Sequence, residues 1–392
     1  MDVSQLKAQV CEAVDGMREE LLRVSHAIHA RPELAFEEHE AAALLVDVLK
    51  RSGLAVTAGA YGLETAFEAE LGEGLACVAL LAEYDALPEI GHACGHNLIA
   101  TAGVGAGLAL ASLGERLPGR VRILGTPAEE RGGGKELMVR EGALDGVDAA
   151  LMIHPASVNL VNMPCMCLAE VEAVYQGRAA HAAAMPERGV NALDGLVHAY
   201  QALAALRQHI RSSERIHGII TDGGQAPNVV PERAAGQFYV RAANQEALAA
   251  LKERVEGCFR AGALATGAEL TLRWGEVDYL DIRFNAALAE RFQVNAEALG
   301  REFLPMEELP PSMAGSTDMG NVSQRVPSIH PMLACAPLHC TIHNAEFEKY
   351  AGSEQGDAAA LDGAKALAMT ALDFLCDADL RKRTRALFEA AL

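Results

Sequence analysis

The run Val121 to Leu124 is short and mostly apolar, and it ends in Gly125-Thr126-Pro127-Ala128-Glu129-Glu130. A run of this length reads as a strand buried on both faces, the signature of a parallel sheet covered by helices. Two adjacent carboxylates after such a strand stand where open α/β sheets carry their sites, at the carboxyl end of the strands. The pattern recurs. Ala149 to Ile153 reads as a strand ending in His154-Pro155, and Gly91-His92-Ala93-Cys94-Gly95-His96-Asn97 sets a thiol and imidazoles among glycines. His339 and His343 follow late in the chain, around Cys340.

Cys94 and His96 are two apart, so on an extended segment they point to the same side and reach one metal ion or two neighbouring ones. Zinc accepts thiolate sulfur, imidazole nitrogen and carboxylate oxygen, and a catalytic site keeps one position for water. Neighbours on an extended chain face opposite ways. One of Glu129 and Glu130 is therefore free to ligate metal while the other holds the attacking water as general base. Taken singly, each residue has an ordinary reading: Cys94 as a small core residue, the glutamates as a solvated turn, His154 as the end of a strand. Repetition at three successive places favours a metal site.

Elsewhere the chain argues by exclusion. With 392 residues, 51% of them hydrophobic, it can bury at least one large core, and its length suggests two or three domains. The charge of −20 repels phosphates, so neither a nucleic acid nor an anionic membrane is an expected partner. Met1 to Glu20 carries no apolar core, which predicts neither a signal peptide nor a membrane span and points to a cytoplasmic location. Nine cysteines without regular spacing fit a reducing compartment, and Cys165-x-Cys167 reads as structural. Two further strings are decoys. Gly103-Val104-Gly105-Ala106-Gly107 lacks the preceding strand of a dinucleotide turn and reads as close helix packing. Gly132-Gly133-Gly134-Lys135 lacks the following Ser or Thr of a phosphate loop and reads as a flexible entry to a helix.

Residues 1–168 read as two helices and then strands alternating with helices, a mainly parallel sheet. From residue 169 the order changes. Leu168 to Tyr175 reads as strand, Val190 to Gln208 as helix, Ile216 to Asp222 and Gln237 to Ala242 as strands, Gln245 to Thr266 as helix and Glu269 to Trp274 as strand. That βαββαβ order describes a ferredoxin-like domain inserted over residues 169–283. Residues 284–392, with a strand at Ile329 to Leu333, return to the first domain.

The strings Ala82-Glu83-Tyr84-Asp85-Ala86-Leu87-Pro88, Gly91 to Asn97 and Thr126 to Glu130 resemble the aminoacylase and carboxypeptidase G superfamily of dinuclear metallopeptidases. More narrowly they resemble its branch of indole-acetyl-amino-acid hydrolases, aminobenzoyl-glutamate hydrolase and β-alanyl-dipeptidase-like proteins. Further matching blocks are Gly177 to Ala183, Asn191 to Asp194, Asn228 to Pro231, Gly315 to Gly320, His343 to Phe347 and Ala364 to Ala368.

The resemblance implies an α/β metallopeptidase domain with a ferredoxin-like lid and dimerisation module. It implies two divalent ions per subunit, zinc by preference with manganese as the alternative, held by Cys94, His96, Glu130, His154 and His343. His339 is the fallback for His343. It makes Glu129 the general base, Asp85 an orienting residue and His181 the donor to the tetrahedral oxyanion; His181 as a helix cap is the plainer alternative. The wider superfamily opens with a His-x-Asp pair where this chain has Glu83-Tyr84-Asp85, so the ligand sharing between the ions stays open. Asn228 and Arg241 are candidates to hold the substrate's amide or carboxylate, with a structural role as the alternative for Arg241. The implied activity is hydrolysis of a small N-acyl amino acid or dipeptide by a homodimer. The rival readings are a thiol hydrolase with Cys94 as nucleophile, a non-catalytic metal-dependent binding protein and a structural dimer scaffold.

Overall fold

Cys77–Ala82 is buried at every position and lies inside a six-stranded sheet. The strand order is Val56–Ala58, Phe67–Leu71, Arg120–Gly125, Cys77–Ala82, Ala149–Leu151, Ser328–Ile329. The last four run parallel and the first two add antiparallel pairs at one edge. The computed structural model describes residues 2–305 and 315–390, so residues 306–314 of the expected metallopeptidase segment lie outside the described residues. The chain divides into one unit of Met1–Pro164 with Ile282–Leu392 and a second of Cys165–Asp281.

In the first unit the helix His96–Ala111 is buried along almost its whole length, between the strand Cys77–Ala82 and the helix Glu354–Cys376. Its glycines permit this. A Cβ on Gly103 would stand 2.6 Å from Leu81 O, which explains the Gly103 to Gly107 string as close packing against the sheet. Three helices, rather than the two expected, precede the sheet: Val3–Gly16, Arg18–Ala30 and His39–Arg51. The expected strands Ala149 to Ile153 and Ile329 to Leu333 are both interrupted. Each resumes as a short strand, His154–Ala156 beside Met332–Ala334, in a separate parallel pair. Pro331 has no N–H to give the ladder, so the sheet breaks at His330-Pro331. The break moves His154 to the start of a strand instead of the end of one. No helix among the described residues is long and apolar enough to cross a membrane.

The second unit is a four-stranded antiparallel sheet in the order Glu269–Trp274, Cys167–Gln176, Arg233–Ala242, Arg215–Asp222. The helices Ala192–Leu206 and Gln245–Thr266 pack on it through Leu196, Leu203, Leu251 and Phe259, giving the βαββαβ order of a ferredoxin-like fold. Asn191 caps the first helix by accepting from the N–H groups of Leu193 and Asp194. The unit's two ends are tied together. Leu168 and Tyr279 exchange backbone hydrogen bonds, and the Cys167 thiol donates to Asp281 at 3.3 Å. The unit runs from Cys165 to Asp281, a few residues from the expected 169–283.

Candidate metal centre

Cys94, His96, Glu129, Glu130, His154 and His343 converge in the first unit, but mostly on turns rather than extended strands. Cys94 sits in a turn, Gly95 is left-handed at φ 81°, and His96 is the first residue of its helix. A Cβ on Gly95 would stand 2.6 Å from Pro155 Cγ, so only glycine lets this turn close on the His154-Pro155 segment. Glu129 and Glu130 also lie in a turn, entered through Ala128 at φ 61°. Both carboxylates consequently face the same imidazole: Glu129 Oε2 lies 3.9 Å and Glu130 Oε1 3.7 Å from His96 Nε2. The expected opposite orientation fails because the backbone there is not extended. His343 is likewise left-handed, at φ 65°. Such backbone costs on the order of 1–3 kcal/mol per non-glycine residue and persists where the surroundings hold it.

Among the described residues, three groups of side chains bring ligand atoms within 4.8 Å of one another: Cys94 with His96 and His154, Cys94 with Glu130 and His343, and His96 with Glu129 and Glu130. Cys94 belongs to two of them, with its Sγ 3.4 Å from His154 Nε2 and 3.3 Å from His343 Nε2. His96 and Glu130 are each shared by two groups as well, so the donors form one continuous cluster. Neighbours set the ring orientations. His154 Nδ1 donates to Pro155 O at 2.7 Å and leaves Nε2 facing Cys94. His96 Nδ1 donates to Asp85 Oδ1 at 3.1 Å, while Asp85 Oδ2 accepts from Glu130 N at 2.8 Å. Asp85 therefore orients one candidate ligand and the backbone of another. His96 Nε2 and Glu83 Oε1 are buried 3.3 Å apart without a hydrogen bond from any described residue, and a cation would satisfy both. The donor set fits a divalent metal centre. His339, by contrast, lies on the surface against Glu346, and His343 is the imidazole that reaches the centre.

Electrostatics separates the two glutamates. Burial, then Glu83 and Glu130, pushes Glu129 well above the usual carboxylate range. Glu130 is held below that range: burial opposes this, but the hydrogen bond with His343 and the charge of His96 outweigh it. Two carboxylates with opposed environments are the mark of divided roles. Burial also pushes the Cys94 thiol well up, with Glu130 adding to it. A thiol nucleophile needs the reverse, so the environment argues against the thiol-hydrolase reading.

Several residues here carry no sequence signal. Lys135 is buried and ion-paired to Glu83 and, at 2.8 Å, to Asp318 Oδ1, while its backbone N–H donates to Asp318 Oδ2. The expected helix entry is there, since Lys135 lies in the first turn of Gly134–Arg140, but the lysine is a fixed internal cation. His330 is buried with its ring centroid 5.3 Å from that of His154. An adjacent buried His following a Pro-flanked strand is the one local hint it offered.

Buried neutral imidazoles make stability depend on pH. Burial lowers His154 to about 4 and His92 to about 3. Unfolded, both titrate near 6.5, so acid protonates the unfolded chain first. Stability present above pH 6.5 is therefore lost progressively as pH falls toward 4. We expect the melting temperature of chelated protein to drop across that window, with a shallower slope in His92→Gln; equal slopes would remove His92 from the account.

The second unit holds the other candidates. His181 is exposed, and its Nδ1 accepts from Ala183 N and Ala184 N at 3.3 and 3.2 Å. It does cap the turn that follows, and this leaves Nε2–H as an outward donor. Asn228 lies beside it, its carbonyl accepting from Ala182 N at 3.0 Å. Arg241 is elsewhere. It pairs in register with Leu168, at the far end of a strand whose near end, Arg233, pairs with Gln176. Eight residues of strand separate those ends by roughly 27 Å. Arg241 Nε donates to His217 Nε2, and its guanidinium lies over Tyr239. Within this unit the structure does not bring it to His181 and Asn228.

The model of peptidase family M20/M25/M40 matches residues 79–373. The Xaa-Arg dipeptidase of Mus musculus is 40% identical over 405 residues, spanning 100% of this chain and 94% of its own length. A p-aminobenzoyl-glutamate hydrolase polypeptide of Escherichia coli (strain K12) is 29% identical, over 94% of this chain and 92% of its own. A solved dinuclear metal binding peptidase of the M20 family from Bacillus subtilis shares the fold at a TM-score of 0.67 and 21% identity, over 92% of this chain and 99% of its own.

Proposed function

The chain belongs to peptidase family M20/M25/M40, and from that premise we propose that it hydrolyses a dipeptide with a basic C-terminal residue, using Glu129 as general base. Metal-dependent hydrolysis of amide bonds is the family's chemistry, and dipeptides and N-acyl amino acids are its substrates. The finer choice rests on the relative that is 40% identical along the whole chain and is named an Xaa-Arg dipeptidase. The charge of −20 favours the approach of a cationic substrate.

The observation that carries the mechanism is the split pair Glu129 and Glu130 beside a sulfur shared by two ligand triads. Cys94, His96 and His154 would hold one ion, and Cys94, Glu130 and His343 the other. When bound, two such ions would supply Lewis-acid chemistry, lowering the pKa of a water and polarising the scissile carbonyl. Thiolate and imidazole favour zinc, with manganese as the alternative. Glu129 takes the proton of the attacking water and returns it to the leaving amine. Asp85 keeps His96 in the tautomer whose Nε2 faces the centre. The family resemblance is what assigns His181 as the donor that would serve the oxyanion and Asn228 as the candidate to hold the substrate amide. The ferredoxin-like unit would serve as lid and as dimer interface, and the enzyme would work as a homodimer in the cytoplasm.

The test is hydrolysis of a panel of dipeptides with C-terminal Arg, Lys, Gly and Glu, N-acyl amino acids and aminobenzoyl-glutamate. Chelated protein is assayed before and after restoration with zinc or manganese. We expect cleavage only after restoration and at least tenfold faster for C-terminal Arg or Lys. Equal rates across the C-terminal residues would remove the basic-residue preference, and turnover by fully chelated protein would remove the metal centre.

A further inference from the structure

Glu38 is fully buried, lies ninety residues before Ala128 and belongs to none of the candidate ligand groups. It stands at the N-cap of the helix His39–Arg51, where a side-chain oxygen ordinarily accepts from that helix's own free N–H groups. It does not do so here. Glu33 takes that role, accepting from Glu40 N at 3.0 Å and Ala41 N at 2.9 Å. Glu38 turns inward instead. Its Oε1 accepts from Ala128 N at 2.8 Å and its Oε2 from the Thr65 hydroxyl at 2.9 Å.

Ala128 is the left-handed residue through which the chain enters the Glu129-Glu130 turn. A left-handed alanine holds that conformation only where its surroundings fix it, and the Glu38 carboxylate is the side chain on its amide. The turn closes on the same residue, since Gly133 N and Gly134 N both donate to Ala128 O at 3.1 Å. A second contact from the same segment reinforces the first. Phe36, itself left-handed at φ 66°, packs so close to Gly132 that a Cβ there would stand 2.4 Å from its ring. Glu38 is anchored in turn, because Tyr84 donates to Thr65 O and Asp85, next along, receives Glu130 N. The turn is thus held at Ala128 by Glu38, at Glu130 by Asp85 and at Gly132 by Phe36.

We propose that Glu38 is a positioning residue for the reaction, acting through Ala128 to aim the Glu129 carboxylate. The proposal rests on Glu129 being the base. Losing the acceptor on Ala128 N lets that residue relax toward ordinary backbone and swings Glu129 off its line. Misplacement of a catalytic group by about 1 Å can cost on the order of a hundredfold in rate.

The experiment compares Glu38→Ala, Glu38→Gln and Glu38→Asp with a stability control, Val78→Ala, in the zinc-restored enzyme well below its melting temperature. The readouts are kcat, KM, metal bound per chain and melting temperature. Gln keeps an acceptor for Ala128 N and gains a donor for Thr65, whereas Asp is one methylene too short to reach both. We expect kcat down roughly 10- to 100-fold in Ala and Asp, KM and bound metal within about twofold, and Gln restored to near the parent. Should Glu38→Ala not fold, Glu38→Asp decides alone: a parental kcat overturns the proposal. So does a kcat loss in Ala and Asp no larger than in Val78→Ala, or a folded Gln variant as slow as Asp. Full activity in Glu129→Gln would instead remove the base itself, a different failure with its own signature.

Discussion

Glu129→Gln is expected to lower kcat by about a thousandfold while leaving KM and the metal bound per chain unchanged. General base catalysis by a positioned carboxylate contributes typically 10²–10⁴-fold, and Gln keeps the shape while removing the proton-accepting oxygen. KM is spared because the group acts on the water in the transition state and not on the bound substrate. Metal is spared if Glu130, His343 and Cys94 hold the second ion as their geometry suggests. The variant separates three arrangements. Low kcat with full metal supports Glu129 as base. Loss of metal would move Glu129 into the ligand set, as its grouping with His96 and Glu130 allows. Parental activity would remove it from the chemistry. Steady-state kinetics with metal analysis on the same preparation reads all three.

How this centre could be read from sequence shows where local pattern ends. Cys94, His96, Glu129, Glu130 and His154 were legible because strand runs are short and their chemistry-bearing ends follow at once. The details of backbone were not. Gly95 and Ala128 are left-handed, and one such residue redirects every side chain after it, so both glutamates face His96 where an extended chain would have divided them. The βαββαβ order was legible from period and length, whereas the strand break at Pro331 and the end of the insert at Asp281 depend on partners far along the chain. Arg241 shows the same dependence on distant partners. Residue type suited a carboxylate, but its place on the strand was set by register with Leu168. Glu38, Glu83, Lys135 and Asp318 had no spacing to betray them. Lys135 and Asp318 are 183 residues apart, and three glycines before Lys135 made it look like the start of a loose helix.

Lys135 carries the largest stability effect expected in the molecule. It is a cation with 1% side-chain exposure between two carboxylates with none. Replacing it by Met keeps the volume but leaves Glu83 and Asp318 buried without their counter-charge. Removing one partner from a buried ion pair typically costs about 3–5 kcal/mol. Burial already raises Asp318 to about 6 even with Lys135 pulling it down. Without Lys135 that pKa rises further, so the folded variant binds a proton more tightly than the unfolded chain does. Its instability is therefore greatest at neutral pH and shrinks as pH falls toward 5. The double variant Lys135→Met, Asp318→Asn removes one of the stranded charges and should recover more than half of the loss, a coupling that only groups in contact display. Urea unfolding of the metal-free protein at pH 7.5 and 5.5 measures each step. A Lys135→Met loss below about 1 kcal/mol, or one independent of both pH and Asp318, would mean that the two carboxylates are already neutral in the folded protein. The interior of the sheet's carboxyl end would then be held by packing alone, and the three-residue charge cluster would have no part in carrying the turn and helix that follow Glu129.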